Sequence, residues 1–183
     1  VFQQEIRRFL LVIGRNASLN RYLLLKKFLS LRWKITRKQL DVDIEPIVEA
    51  CQNMSKTKTG ATIIMGKEPD VHNFVITGQE LNAAVSRQLI ESVFFKNSPL
   101  HDGALIISDN RIKAASCVLP ITENTNLPPH LWLRHRSAIG ATEHNDALAI
   151  IISEETGHIS YAEKGEIKVN ITPEALKALL SLS

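Results

Sequence analysis

Two short apolar runs do most to limit what this chain can become: Ala61-Thr62-Ile63-Ile64-Met65 and Ala147-Leu148-Ala149-Ile150-Ile151-Ile152. Neither alternates with polar residues and both are too short for a core helix, so each reads as a strand buried on both faces. Gly66 and a turn over 67–70 close the first run. Strands of that kind need helices above and below them. Ile44, Ile47, Val48, Cys51 and Met54 recur at helical spacing with Pro46 in the first turn, and Leu81, Ala84, Val85, Leu89 and Val93 repeat the pattern ahead of Asn97-Ser98-Pro99. Thr172-Pro173-Glu174 supplies an N-cap followed by proline at the first position of a last helix running to Leu182. Residues 71–77 read as a weak strand or loop. Residues 103–107 and 112–119 flank Asp109-Asn110 as a hairpin, and 159–162 and 167–169 are further strands. The fold class expected is α/β of the α+β kind: a single domain with a central mixed, mainly antiparallel β-sheet flanked by α-helices.

Charge divides the chain unevenly. Residues 1–40 hold ten Lys or Arg against one acid, a balance of +9, whereas 41–183 hold twelve against eighteen, a balance of −6. Within the basic part, Phe2, Ile6, Phe9, Leu10 and Ile13 form a helical pattern stopped by Gly14, and 15–38 mixes basic with aromatic and aliphatic residues. Such an arm suits an anionic membrane surface or nucleic acid, or is simply a solvated amphipathic arm. No apolar run approaches the roughly 20 residues that span a bilayer. With 183 residues, 44% of them apolar, the chain fits one globular domain. Cys51 and Cys117 form no close-spaced pair, which excludes a disulfide framework or a zinc site of the usual spacing and fits a reducing compartment.

The polar residues most suited to chemistry fall in two places. Leu100-His101-Asp102-Gly103-Ala104 sets an imidazole and a carboxylate beside a residue without a side chain, and Arg134-His135-Arg136 sets an imidazole between two guanidinium groups. Asp102 offers hard oxygen donors of the sort Mg²⁺ or Mn²⁺ takes, and Gly103 lets a ligand approach the main chain. The forks of Arg134 and Arg136 match phosphate oxygens, with His135 turned away or in a metal position. Singly, Asp-Gly is a turn pair and Arg-His-Arg a solvated or salt-bridged face; together they suit a metal-bound polyphosphate. A helix beginning at Arg134 would add the attraction of its N-terminus for anions. The connection over 120–131, with Pro128-Pro129, has the length of a functional loop. No Walker-type glycine loop is present, so a nucleotide would be held by other means.

Pro99-Leu100-His101-Asp102-Gly103-Ala104, Arg134-His135-Arg136-Ser137-Ala138-Ile139-Gly140 and Ser153-Glu154-Glu155-Thr156-Gly157, in this order and spacing, resemble the diadenylate cyclase domain in its membrane-associated bacterial branch. The likeness runs from Val1 to about residue 172. It implies condensation of two ATP molecules into cyclic di-AMP with release of two pyrophosphates, with Mg²⁺ or Mn²⁺ and across a face-to-face homodimer. By resemblance, Asp102 serves the metal and the attacking 3′-hydroxyl, Gly103 and Ala104 line the nucleotide, and Arg134, His135 and Arg136 hold the triphosphate. Ser153 and Glu155 complete the phosphate and metal surroundings, His101 and His135 are further metal candidates, and Leu119 contacts adenine. As a plain structural alternative, Ser153 and Glu155 are a capped turn, His101 braces a turn and Leu119 is core. Leu133 stands where the family commonly carries a small hydroxyl residue, which implies altered affinity, since leucine donates no hydrogen bond.

The same resemblance implies transmembrane helices ahead of Val1, which opens within a helical pattern, a basic helical juxtamembrane segment over 1–40, and a catalytic domain over 41–183 at the cytoplasmic face of the bacterial membrane. Nucleic acid is not expected as a partner. The competing reading is a sensor domain that binds ATP without turning it over.

Overall fold

The computed structural model describes residues 42–125, 127–128 and 132–182, all within the unit Gln39–Ser183. The helix expected over 2–13, the basic stretch 15–38 and the division between 40 and 41 lie outside the described residues. Among those described, the order is α1 (Glu45–Lys56), β1 (Ala61–Gly66), α2 (Glu68–Val75), β2 (Gln79–Ala84), α3 (Arg87–Val93), β3 (Ala104–Ser108), β4 (Arg111–Cys117), α4 (Leu133–Glu143), β5 (Ala147–Ile152), β6 (Ile159–Glu163), β7 (Glu166–Ile171) and α5 (Pro173–Ser181).

The strands form one sheet in the order β2-β4-β3-β1-β5-β6-β7. β1 and β3 are parallel, and every other neighbouring pair is antiparallel, so the mixed, mainly antiparallel sheet is as expected. β1, β3 and β5 are buried along their whole length. Alternate side chains enter two separate cores, following the two-residue period of a strand. On one face Ile63, Leu105, Ile107, Ile150 and Ile152 meet Ile47, Cys51, Ile90, Leu176 and Leu180 of α1, α3 and α5. On the other, Ile64, Ile106, Ala149 and Ile151 meet Val71 and Phe74 of α2 and Ala138 and Ala141 of α4. Small residues on that second face let α4 lie close. At Gly140 an added Cβ would come within 2.5 Å of the Pro120 carbonyl oxygen.

Local chemistry sets the element ends. The β3–β4 hairpin turns through Asp109 and Asn110, both at positive φ (49° and 55°), as a two-residue turn matching strand twist requires. Thr172 caps α5, its hydroxyl accepting from the Ala175 amide at 3.2 Å, with Pro173 in the first turn. Pro46 likewise begins α1. The edge strands β2 and β7 each carry a bulge with an asparagine at positive φ, Asn82 (44°) and Asn170 (55°).

Two stretches differ from expectation. Residues 67–77 are not a turn followed by a strand or loop. They form α2, begun by Pro69 in its first turn and by Glu68 and Asp70, whose charges suit a helix N-terminus. The helix expected from Leu81 to Val93 is two elements. Residues 79–84 pair with β4, and a helix starts only after Ser86, whose hydroxyl accepts from the Leu89 amide at 3.3 Å. Pairing with β4 overrode a helical spacing that rested on few residues. The helix expected to begin at Arg134 is α4, which starts one residue earlier, at Leu133, and runs to Glu143.

Both cysteines are fully buried. Loss of hydration pushes the Cys51 thiol up to about 12 and the Cys117 thiol up to about 11. Since the thiolate is the reactive form, neither should react with a thiol-specific chromogenic disulfide at pH 8 in the folded protein, and both should titrate after unfolding in guanidinium. Rapid modification of the native chain would contradict this burial.

Candidate active site

At one end of the strands β1 and β3 begin while β4 and β5 finish, and a cavity of about 650 Å³ opens there. Its floor is Thr62 of β1 with Asp102, Gly103 and Ala104 at the entry to β3. One wall is Ser116 to Leu119 with Ile121, the opposite wall is the turn Ser153 to Glu155, and the start of α4 closes it with Leu133, Arg134, His135 and Ser137. The volume is that of a small-molecule site.

The floor depends on a main-chain contact. Gly103 has φ +100°, and an added Cβ would lie 2.8 Å from the Cys117 carbonyl oxygen and from the Ser116 carbonyl carbon. Ser116 is itself at positive φ (56°), where β4 bulges against β3. The bulge turns Ser116 into the cavity wall, and glycine opposite allows the two backbones to close.

The start of α4 is electrostatically distinct. Its N-cap, Trp132, makes no side-chain capping bond, and the first turn holds no acid. By contrast, α1, α2 and α5 each carry a carboxylate in that turn, and α3, which also lacks an acid there, is capped by Ser86. Here the first turn instead bears Arg134 and Arg136, so a helix terminus already attractive to anions is left without an internal counter-charge. The connection after β4 is pinned to this helix. The Thr122 amide donates to the Arg136 carbonyl at 3.2 Å, and the Thr122 hydroxyl donates to Glu143.

The residues singled out in the sequence do not all reach the cavity. Asp102, Gly103, Ala104, Leu119, Leu133, Arg134, His135, Ser153 and Glu155 line it, whereas His101 and Arg136 do not. The His101 Nδ1 lies 2.7 Å from the Ser98 carbonyl oxygen, bracing the turn that presents Asp102. His135 is buried with Nε2 3.4 Å from the Ser160 hydroxyl, so its ring points towards β6. The Ser153 hydroxyl accepts from the amides of Glu155 (3.3 Å) and Thr156 (3.2 Å), which shapes the turn and leaves its own proton to donate. Asp102 and Glu155 are exposed carboxylates, one at the entry to β3 and the other in the turn after β5.

Sequence reading missed Thr62, Ser116, Ser137, Trp132 and Glu154. Thr62 had a signal, being the one hydroxyl inside an apolar run. Glu154 lay within a motif already noted, yet its partner could not be read: its Oε2 is 3.5 Å from Nη2 of Arg134.

A bulged strand end, an uncapped basic helix terminus and exposed carboxylates meet at one cavity of an α/β domain. Residues 48–167 match the family model described as DisA bacterial checkpoint controller nucleotide-binding, and the chain belongs to this family, the DAC domains. It is 38% identical over 180 residues to the cyclic di-AMP synthase CdaA of Bacillus subtilis, covering 98% of this chain and 62% of that protein. A diadenylate cyclase of Listeria monocytogenes is 37% identical with the same coverage. The chain therefore spans 62% of the length of these curated relatives. Among solved structures, a double cysteine mutant of DacA from Staphylococcus aureus aligns with a TM-score of 0.72 at 38% identity, over 75% of this chain and 91% of that one. A hypothetical membrane spanning protein from Bacillus cereus aligns at 0.68 and 38% identity, over 72% and 65%.

Replacing Gly103 with alanine should destabilise the domain by about 1–3 kcal/mol, the cost of holding a side chain in that backbone region against β4. The reading is a lower denaturation midpoint at unchanged slope. An unaltered midpoint would mean that the two backbones can separate without cost.

Proposed function

We propose that this domain condenses two ATP molecules into cyclic di-AMP, each 3′-hydroxyl attacking the α-phosphorus of the other nucleotide. In each step an O3′–P bond forms, the bond to the pyrophosphate oxygen breaks, and the hydroxyl proton is released; two steps yield the ring and two pyrophosphates. The observation that carries this reading is the meeting, in one cavity, of Asp102, the uncapped start of α4 with Arg134, and Glu155. Family membership and the similarity to a cyclic di-AMP synthase and a diadenylate cyclase support it.

Such a transfer asks the protein for alignment and for neutralisation of charge more than for covalent help. In this assignment the Leu133 and Arg134 amides and the Arg134 guanidinium receive phosphate oxygens. Asp102, at the floor, accepts from the attacking hydroxyl and orients it, while the main chain at Gly103 and Ala104 and the side chain of Leu119 lie against the nucleoside. Ser153 donates its free proton to a phosphate oxygen, Arg136 steadies the helix start from behind, and His135, at the cavity wall, turns its ring towards Ser160.

A divalent cation, Mg²⁺ or Mn²⁺, fits the donor set. Asp102 and Glu155 bring hard oxygens to the opening, while among the described residues no group of three or more His, Cys, Asp or Glu could form a closed cage. The remaining ligands would be phosphate oxygens and water, the usual manner of binding such ions. Bound there, the cation would supply neutralisation of phosphate charge and ease ionisation of the 3′-hydroxyl.

One open cavity holds one nucleotide, so a second copy of the domain must bring the other, face to face. The rim supports this: Val118, Ile121, Trp132 and Leu133 are 54–67% exposed around the opening, an apolar surface of the kind partners cover. We further place the protein at the cytoplasmic face of the bacterial membrane. The basic excess over 1–40 and the description of the Bacillus cereus neighbour as membrane spanning support that placement. No helix among the described residues is long and apolar enough to cross a membrane.

Incubated with ATP and Mg²⁺ or Mn²⁺, the purified chain should yield cyclic di-AMP by chromatography, and Asp102→Asn should lower the rate at least about a hundredfold. Rate per protomer should fall on dilution through the dimer dissociation range. Nucleotide binding without product, at concentrations where the dimer is populated, would instead favour a sensor domain. Leu133→Thr should change the affinity for ATP several-fold. Identical affinity and rate would show that the residue before Arg134 does not reach the nucleotide.

A further inference from the structure

We propose that Glu154, seated against Gly60, is a positioning residue that aims the Arg134 guanidinium at the β- and γ-phosphates. The inference rests on the reading of the cavity as an ATP site and adds a residue and a mechanism to it.

Arg134 is a long side chain at the mouth of the cavity, and a guanidinium serves a polyphosphate only if its fork is held in one direction. Two features fix that direction. The Glu154 carboxylate stands 3.5 Å from Nη2, on a turn that is itself rigidly held. The Gly157 amide donates to the Ser153 carbonyl at 2.8 Å, the Ser153 amide donates to the His158 carbonyl at 3.1 Å, and the Ser55 hydroxyl of α1 donates to the Gly157 carbonyl at 2.6 Å. The second feature is a missing side chain. A Cβ added at Gly60, just before β1, would lie 2.8 Å from Glu154 Oε2 and 3.2 Å from Arg134 Nε. The ion pair therefore lies directly over the start of β1, in space that only glycine leaves open.

The exposure of the partners says what the pair is for. The Arg134 side chain is 24% exposed and that of Glu154 is 66% exposed. A pair so open to water contributes little to stability. It also places a negative charge beside a site for a polyanion, which by simple Coulomb repulsion should weaken binding. A carboxylate there makes sense if the gain in aiming Arg134 exceeds that repulsion, and the two effects have opposite signs.

That opposition gives the test. Affinities for α,β-methylene-ATP and for AMP are measured by calorimetry with Mg²⁺ on the wild-type chain, Glu154→Ala and Gly60→Ala. Removing the carboxylate should weaken the triphosphate analogue about tenfold, the worth of one charge-assisted hydrogen bond, and leave AMP within about twofold. Gly60→Ala keeps every charge but crowds the Glu154 carboxylate and Cβ (2.8 and 3.0 Å) and Arg134 Nε (3.2 Å), displacing the pair, and persistence of its fold is checked by circular dichroism. This variant should shift both affinities in the same pattern. Unchanged or tighter binding of the analogue by Glu154→Ala would overturn the positioning role and leave a merely repulsive surface acid. Equal losses for both ligands would also overturn it, as a sign of general damage to the cavity. If the wild-type chain does not prefer the triphosphate analogue to AMP, the ATP reading itself fails, independently of the variants.

Discussion

Burial of β1, β3 and β5 on both faces is the constraint from which the rest of this domain follows. A strand with no wetted face cannot bear charged side chains along its length, so polar function is forced to its ends. Parallel β1 and β3 start at one end of the sheet, where their antiparallel neighbours β4 and β5 finish. Four chain segments thus leave the apolar interior together, and the turns they make carry Asp102, Ser116 and the Ser153 to Glu155 group. The cavity is the place where the sheet stops being able to exclude water.

Charge at that end is arranged by omission as much as by addition. Helices α1, α2 and α5 offset their own N-termini with acids, but α4 does not. Its terminus keeps its attraction for an anion and is reinforced by Arg134. The acids of the site come from elsewhere, Asp102 from the floor and Glu154 and Glu155 from the facing turn. They therefore stand apart from the helix terminus, Glu154 paired with Arg134. Anion attraction and carboxylate chemistry are kept on separate elements of the same small space.

How much of this could be read in the sequence depended on the range of the interaction. The unbroken runs at 61–65 and 147–152, the Asp109-Asn110 turn and the Thr172-Pro173 start declare themselves because their causes lie within a few residues. β2 did not, because its strand character comes from pairing with β4 some thirty residues on, while Leu81, Val85 and Leu89 imitate a helical repeat. α2 was hidden by the opposite error, its short span and mixed polarity obscuring the start marked by Glu68-Pro69-Asp70. In the site, nine of the residues named from motifs meet at one cavity. What spacing could not tell was direction: His101 turns to Ser98, His135 to Ser160, and Arg136 stays out of the cavity. The Arg134–Glu154 pair over Gly60 joins three distant segments, and nothing in any one of them announces it.

The bulges in β2 and β7, each centred on an asparagine with positive φ, bear on how such a domain lives at high concentration. A flat edge strand is a template on which another chain can polymerise. Here both margins are kinked, and in β2 the Arg111 guanidinium is bonded to the Asn82 side chain at 2.7 Å as well as to its carbonyl. Sheet extension into fibrils is thereby discouraged at either end. The exposed apolar side chains Val118, Ile121, Trp132 and Leu133 lie instead around the cavity.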